Sequence, residues 1–317
     1  MVSEDLARRF LHVNLNCRSL RTTESIYAEV LGLSARMRTD PKVPTDGTIL
    51  GIDGENGETY CETAFLYDIR GPRAACALEA IEYFRPELVP DTSTVPTRPG
   101  IRAASVRVAD VEVAAAALRA AGLTVGEPVD GLISGTKSVL ALDPDGAVIE
   151  LAAGDSDASE GALFAGIRIA AIDLEATAAF LDAIGFDRLD PPKPVVVSAE
   201  QLAPGHAGDP VECLVARFAL PEDAAGFTVT VVQHPATAGE QPVPWGGNRQ
   251  GLYRCALRVE NVDKALAAVP DWVEQRGEPV WCPLPGTKID GLKIAFLRSP
   301  DGVVFEFVER PLKLFTR

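Results

Sequence analysis

Three glutamates sit where a carboxylate is out of place: Glu79 between Leu78 and Ala80, Glu150 between Ile149 and Leu151, and Glu306 between Phe305 and Phe307. Each apolar run reads as a strand, and side chains alternate between the two faces of a strand, so each glutamate points away from its apolar neighbours. A buried carboxylate needs a hydrogen-bonding partner, a counter-ion or a metal. His12 poses the same question. In Leu11-His12-Val13-Asn14-Leu15-Asn16 the apolar residues share one face, and His12, Asn14 and Asn16 share the other. An all-polar strand face inside a compact domain implies a solvated, ligand-binding concavity. Further strands send Ser105 and Arg107, Gly166 and Arg168, and Arg254 to the same inward side. Asn14, Tyr83, Ser105, Arg107, Arg168, Arg254 and Glu306 are therefore candidate substrate contacts.

Several bland readings stand beside these. His12 could be a core histidine bonded to a neighbour. One slip of register would exchange Glu79 for Glu82. Arg254 and Glu306 could form a structural ion pair or an anchor for an anionic substrate. His206 and His234 read as surface residues. Gly135-Thr136-Lys137 reads as a loop or hairpin opening, because no phosphate-cradling glycine run precedes it. No Ser-His-Asp or Cys-His triad can be assembled.

The elements that must position these residues repeat. Gly126-Glu127-Pro128-Val129 recurs at Gly277-Glu278-Pro279-Val280, an offset of 151. The same offset relates Arg98-Pro99-Gly100 to Arg249-Gln250-Gly251, Arg107-Val108-Ala109-Asp110-Val111 to Arg258-Val259-Glu260-Asn261-Val262, and Gly135-Thr136-Lys137 to Gly286-Thr287-Lys288. Asp143-Pro144-Asp145-Gly146 answers Ser299-Pro300-Asp301-Gly302. A constant period marks a tandem duplication. The polar stretch 154–161 separates the halves, giving expected domains at 1–153 and 162–317. Within each half a strand, a helix ending near a glycine, and further strands occur twice. The expected class is α+β, with four βαβββ units joined inside each half by Pro-rich connectors.

Bulk properties narrow the function. A chain of 317 residues suits two domains. A net charge of −15 disfavours nucleic acid and anionic membranes as partners. The acidic opening Met1-Val2-Ser3-Glu4-Asp5 is unlike a signal peptide, and no apolar run is long enough to span a bilayer. Six cysteines without C-x-x-C spacing read as reduced thiols, so a cytoplasmic location is expected.

The strand Leu11-His12-Val13-Asn14-Leu15-Asn16, the helix end Val30-Leu31-Gly32-Leu33, and the Pro-Asp-Gly turns followed by Glu150 and Glu306 resemble the vicinal oxygen chelate superfamily. That family includes glyoxalase I, extradiol dioxygenases, methylmalonyl-CoA epimerase and the fosfomycin and bleomycin resistance proteins. The resemblance implies two tandem glyoxalase-like open barrels, each made of paired units around a divalent metal. It implies one ligand from the first and one from the last strand of each unit. With units paired inside each half, the first half offers His12, Glu79, Ala103 and Glu150. His12, Glu79 and Glu150 could hold Mn, Fe(II), Co, Ni or Zn, with Glu79 or Glu150 as the catalytic base. The second half offers Gly166, Thr228 or Val229, Arg254 and Glu306, which is no metal site, because a guanidinium cannot ligate. No histidine stands at its ligand positions, so extradiol ring cleavage is disfavoured. The implied function is metal-assisted isomerase, lyase or epimerase chemistry on a small oxygen-rich molecule. The alternatives are a metal-free small-molecule binding protein and a metal-independent lyase or cyclase using Arg254 and Glu306. Units could also pair across a homodimer.

Overall fold

The computed structural model describes all residues except 1–3, 53–56, 92–94, 155–157, 159, 224–225, 285–289 and 315–317. The repeat Gly286-Thr287-Lys288 and part of the 154–161 separator lie outside the described residues.

Four units follow one another. The first carries β1 (Arg9–Cys17), β2 (Ser34–Arg38), β3 (Thr45–Asp46), β4 (Glu58–Tyr67) and β5 (Ala77–Arg85). The second carries β6 (Gly100–Val108), β7 (Val125–Asp130), β8 (Lys137–Leu142) and β9 (Val148–Ala153). The third carries β10 (Leu163–Ala170), β11 (Asp187–Val197), β12 (Val211–Ala219) and β13 (Thr228–Gln233). The fourth carries β14 (Gly251–Val259), β15 (Glu274–Pro283), β16 (Gly291–Arg298) and β17 (Val304–Glu309). The first strand of each unit leads into a helix: α1 (Leu20–Glu24, continued by a π-helical turn to Val30), α2 (Val111–Ala120), α3 (Leu174–Ile184) and α5 (Val262–Ala268). A short α4 (Ala199–Leu202) lies between β11 and β12. The four helices begin alike. Ser19, Asp110, Asp173 and Asn261 each accept a backbone N–H three residues on, worth about 1 kcal/mol apiece. The repeated Arg-Val-x-Asp/Asn-Val is therefore a strand end plus a helix cap.

The units do not pair as the duplication suggested. One sheet runs β15-β16-β17-β14-β1-β5-β4-β2, joining the first unit to the fourth. The other runs β11-β12-β13-β10-β6-β9-β8-β7, joining the second to the third. The expected domains 1–153 and 162–317 thus each contribute one unit to each sheet, rather than closing a sheet of their own. Connection length explains the outcome. From the end of β9, the chain needs to cross only β6, roughly 10 Å at ordinary strand spacing, to lay β10 antiparallel beside it. The separator is long enough for that, whereas the long Pro-rich connectors carry the chain from one sheet to the other. Every first strand finds its partner inside the chain, so the sheets close without a second copy.

Both sheets back onto one core containing Phe10, Phe164, Phe186, Phe305 and the buried faces of all four long helices. Phe227 joins the sheets, with ring centroids 4.5 Å from Phe10 and 5.0 Å from Phe164. Each such buried ring contributes about 1.5–3 kcal/mol. Val13 and Leu15 join this core, but Leu11 does not. The β1–β14 register breaks between Phe10 and His12, and the irregularity turns Leu11 to the concave side with Tyr253 and Phe296. No helix among the described residues is long and apolar enough to cross a membrane. The six cysteines are free, five of them buried.

Candidate functional site

The sheet joining the first and fourth units sets β1 beside β14, with His12 opposite Ala256. Parallel pairing then places β5 next to β1 and β17 next to β14. Four inward residues from these central strands converge: His12, Glu79, Arg254 and Glu306. The Arg254 Nη2 lies 3.2 Å from Glu79 Oε2, and its Nε lies 3.2 Å from Glu306 Oε2. His12 Nε2 lies 3.3 Å from Glu79 Oε2 and 4.0 Å from Glu306 Oε2. Their side chains are 13% (His12), 6% (Glu79), 4% (Arg254) and 7% (Glu306) exposed. Apolar residues wall them in. The ring of His12 meets Phe65 edge-on at 5.2 Å, and Arg254 lies over Phe296 at 5.8 Å.

The register question is settled by what each carboxylate touches. Glu79 faces the cluster, while Glu82 turns outward and accepts the backbone N–H of Leu20 at the start of α1.

Glu150 does not join His12 and Glu79. It belongs to β9 in the other sheet, where it accepts the N–H groups of Ile133 at 3.0 Å and Ser134 at 2.7 Å. A carboxylate that accepts backbone N–H groups is a loop anchor. The expected ligand set His12, Glu79 and Glu150 is therefore divided between two sheets, because the sheets pair the first unit with the fourth. Arg168, Ser105, Arg107 and Gly166 also lie in that second sheet. There Arg168 donates to the carbonyls of Gln201 and Leu202 at the end of α4. Gly131 is pressed so close to Glu150 that an added Cβ would stand 2.7 Å from its Oε1. Loop and helix thus stitch this concave face shut. On the first sheet, Asn14 donates to the Glu79 carbonyl at 3.4 Å, and Tyr83 to the Gly247 carbonyl at 3.1 Å. Asn16, passed over as a substrate contact, donates to the carbonyls of Gly247 and Arg249. His234 accepts the N–H of Ala236 through Nδ1.

Electrostatics single out Glu306. Burial raises its pKa, Arg254 opposes the rise and Glu79 adds to it, leaving the carboxyl at about 7. Burial lowers His12 to about 4, against the pull of Glu79 and with the help of Arg254. Burial alone would lower Arg254, but Glu306 and Glu79 outweigh it and hold the guanidinium charged. One fixed cation thus serves two carboxylates beside a neutral imidazole. The second carboxylate, Glu306, takes up its proton near neutrality.

These residues fit a divalent metal poorly. The spacing of His12 Nε2, Glu79 Oε2 and Glu306 Oε2 would admit a small ion. The same two carboxylate oxygens are the ones Arg254 holds, and its charge would repel the ion at contact distance. No cluster of three or more His, Cys, Asp or Glu among the described residues has metal-binding form. His12 Nε2 and Glu306 Oε2 are nevertheless buried without a hydrogen-bond partner. Their separation would let one ligand oxygen bond to both.

Comparison with known proteins agrees with the fold. The family model for the Glyoxalase/Bleomycin resistance protein/Dioxygenase superfamily matches residues 9–151. Curated proteins give no match. Among solved structures, glyoxalase I from Zea mays aligns with a TM-score of 0.66 at 19% identity, over 96% of this chain and 92% of that one. A mutant of the maize enzyme aligns with a TM-score of 0.65 at 19% identity, over 95% and 94%. A protein from Bacillus subtilis subsp. subtilis str. 168, provisionally named a dioxygenase, aligns with a TM-score of 0.57 at 14% identity, over 96% and 86%. At such identities the likeness is one of fold.

Proposed function

We propose that this chain, whose residues 9–151 match the family model of the Glyoxalase/Bleomycin resistance protein/Dioxygenase superfamily, is a proton-transfer enzyme of the isomerase, lyase or epimerase kind, acting on a small oxygen-rich molecule without a metal. The observation that carries this reading is Arg254, a permanent cation held 3.2 Å from both Glu79 and Glu306 where the family pattern calls for a ligand. A guanidinium can stabilise an oxyanion that develops on the substrate, as oriented cations and N–H donors do in other active sites. Glu306, poised near neutral pH, is matched to accept a proton from carbon and return it. Neutral His12, with its unsatisfied Nε2, would hold the substrate oxygen from the opposite side.

The test needs no knowledge of the natural substrate. A panel of α-hydroxyketones and 2-oxo acids is incubated with the protein in D2O, and carbon-bound deuterium is read by NMR. Exchange that survives chelator treatment, in protein free of stoichiometric metal, and that is lost in Glu306→Gln is expected. Exchange abolished by chelator and restored by Zn, Ni or Mn would overturn the metal-independent reading.

A second reading is supported by the enclosure of the cluster between Phe65 and Phe296. It is metal-free sequestration, with Arg254 as the anion anchor. Saturable binding of a panel member without deuterium exchange would favour it.

A further inference from the structure

A cavity of about 840 Å³ lies away from the His12 cluster. It opens at the seam between the two sheets, where residues 89–91 run beside residues 248–250. Val89 donates its N–H to the Asn248 carbonyl and accepts that of Gln250, and the Gln250 side chain accepts the N–H of Asp91. The duplicated motifs converge here. Arg98-Pro99-Gly100 and its copy Arg249-Gln250-Gly251 contribute Arg98 and Arg249 to the same wall.

The two copies differ in one respect. In the first, Arg98 is bonded to Asp91, seven residues before it. Seven residues before Arg249 stands Pro242, which has no charge to offer. The Arg249 side chain accordingly has no hydrogen bond or ion pair among the described residues, and its Nε is buried without a partner. Arg102 also faces the cavity and shares Asp91 with Arg98, at 3.5 Å. The other charged groups of the lining have partners. Arg18 pairs with Asp145. Asp143 is taken up by the N–H groups of its own turn and by the Tyr27 hydroxyl. Arg98, Arg102 and Arg249 thus have one carboxylate, Asp91, among them, and with Arg18, Asp143 and Asp145 counted the lining keeps a surplus of one positive charge. That surplus stands in a protein whose net charge is −15. Ile101 and Leu252 supply apolar wall between them.

We propose that this seam cavity binds a small organic dianion, its two charges carried on phosphate or paired carboxylate oxygens and its body resting on the apolar wall. Arg249 is the principal anchor. Guanidinium groups match such oxygens in a planar, bidentate manner. The volume exceeds that of an inorganic ion and falls in the ordinary range for small-molecule sites. The proposal is independent of the His12 cluster.

Isothermal titration of the full chain tests it, with phenyl phosphate and phthalate as probes and benzenesulfonate as the singly charged control, all at matched ionic strength. Saturable binding of at least one dianion is expected, tighter than the control. Whichever of the two binds better identifies the oxygen chemistry. Arg249→Gln breaks no internal bond, so its fold and melting temperature should be retained while dianion affinity falls about tenfold or more, the loss of one charge-assisted contact. Pro242→Asp, which restores the counter-charge found in the first copy, should weaken binding in the same direction. Equal affinity in the wild type and Arg249→Gln, equal binding of control and dianions, or no saturable binding of either dianion would overturn the proposal.

Discussion

Replacing Glu306 by Gln keeps the shape of the side chain and removes its titration. In the wild type the carboxyl rises from its ordinary 4.5 to about 7, chiefly through burial, with Arg254 pulling it down and Glu79 pushing it up. The folded state therefore holds this proton more tightly than the unfolded state. Stability from this group is full below the ordinary carboxylate value and drains away as pH rises towards 7. Over that window the folded chain carries nearly one proton more than the unfolded chain, and each pH step then costs about 1.4 kcal/mol. Between about pH 5.5 and pH 8 the wild-type loss from this group comes to about 2 kcal/mol. Glu306→Gln should escape that loss, because Arg254 and Glu79 remain as a balanced pair. Urea denaturation of both proteins at the two pH values measures the difference. The stability gap should move by about 2 kcal/mol in favour of the variant on going from the lower to the higher pH. A gap that does not move with pH, or that moves against the variant, would refute the charge assignment of the whole cluster.

His12 should act with the opposite sign. Its folded pKa of about 4 lies below the ordinary 6.5, mainly through burial, so the unfolded state binds the proton more readily and stability is lost as pH falls through that window. In His12→Gln this acid loss should disappear, as a comparison of denaturation midpoints at about pH 4.5 and pH 6.5 would reveal. Arg254→Gln leaves two buried carboxylates without a cation and should cost about 3–5 kcal/mol by chemical denaturation at about pH 8; a cost below about 1 kcal/mol would deny the pairing. Gly247→Ala would set a Cβ 1.8 Å from the Leu50 carbonyl, so a loss of about 1–3 kcal/mol or more is expected, and unchanged thermal stability would refute that packing.

Much of the fold was legible because it is local. Alternation exposed β1, β5, β9 and β17, and the constant offset exposed the motif that carries Asp110 and Asn261, whose role as helix caps only the structure shows. The inward set at β14 was read correctly, because Cys255, Leu257 and Val259 do pack on the core. What the sequence hid was which units share a sheet edge. All four first strands alternate alike, so nothing in their patterning says that β1 should choose β14 over β6. That one non-local decision moved Glu306 and Arg254 to His12 and carried Glu150 away. The contrast between the short separator at 154–161 and the Pro-rich connectors was the only sequence signal that bore on it. Leu11 was misplaced for a smaller reason, since an irregularity within β1 reverses the alternation on which the reading rested.

The pairing of first with fourth unit also has a consequence for how the protein is made. The sheet of the second and third units can assemble from contiguous chain while synthesis continues. The His12 sheet cannot, because β1 must wait for β14 and β17, and His12 meets its neighbour Ala256 only after most of the polypeptide has been translated. At roughly 5–20 residues per second, that leaves an aggregation-prone strand edge without its mate for tens of seconds on the ribosome. A chain halted between Gln233 and Val304 would hold every strand of the sheet of the second and third units, while its four-residue cluster has not yet come into existence.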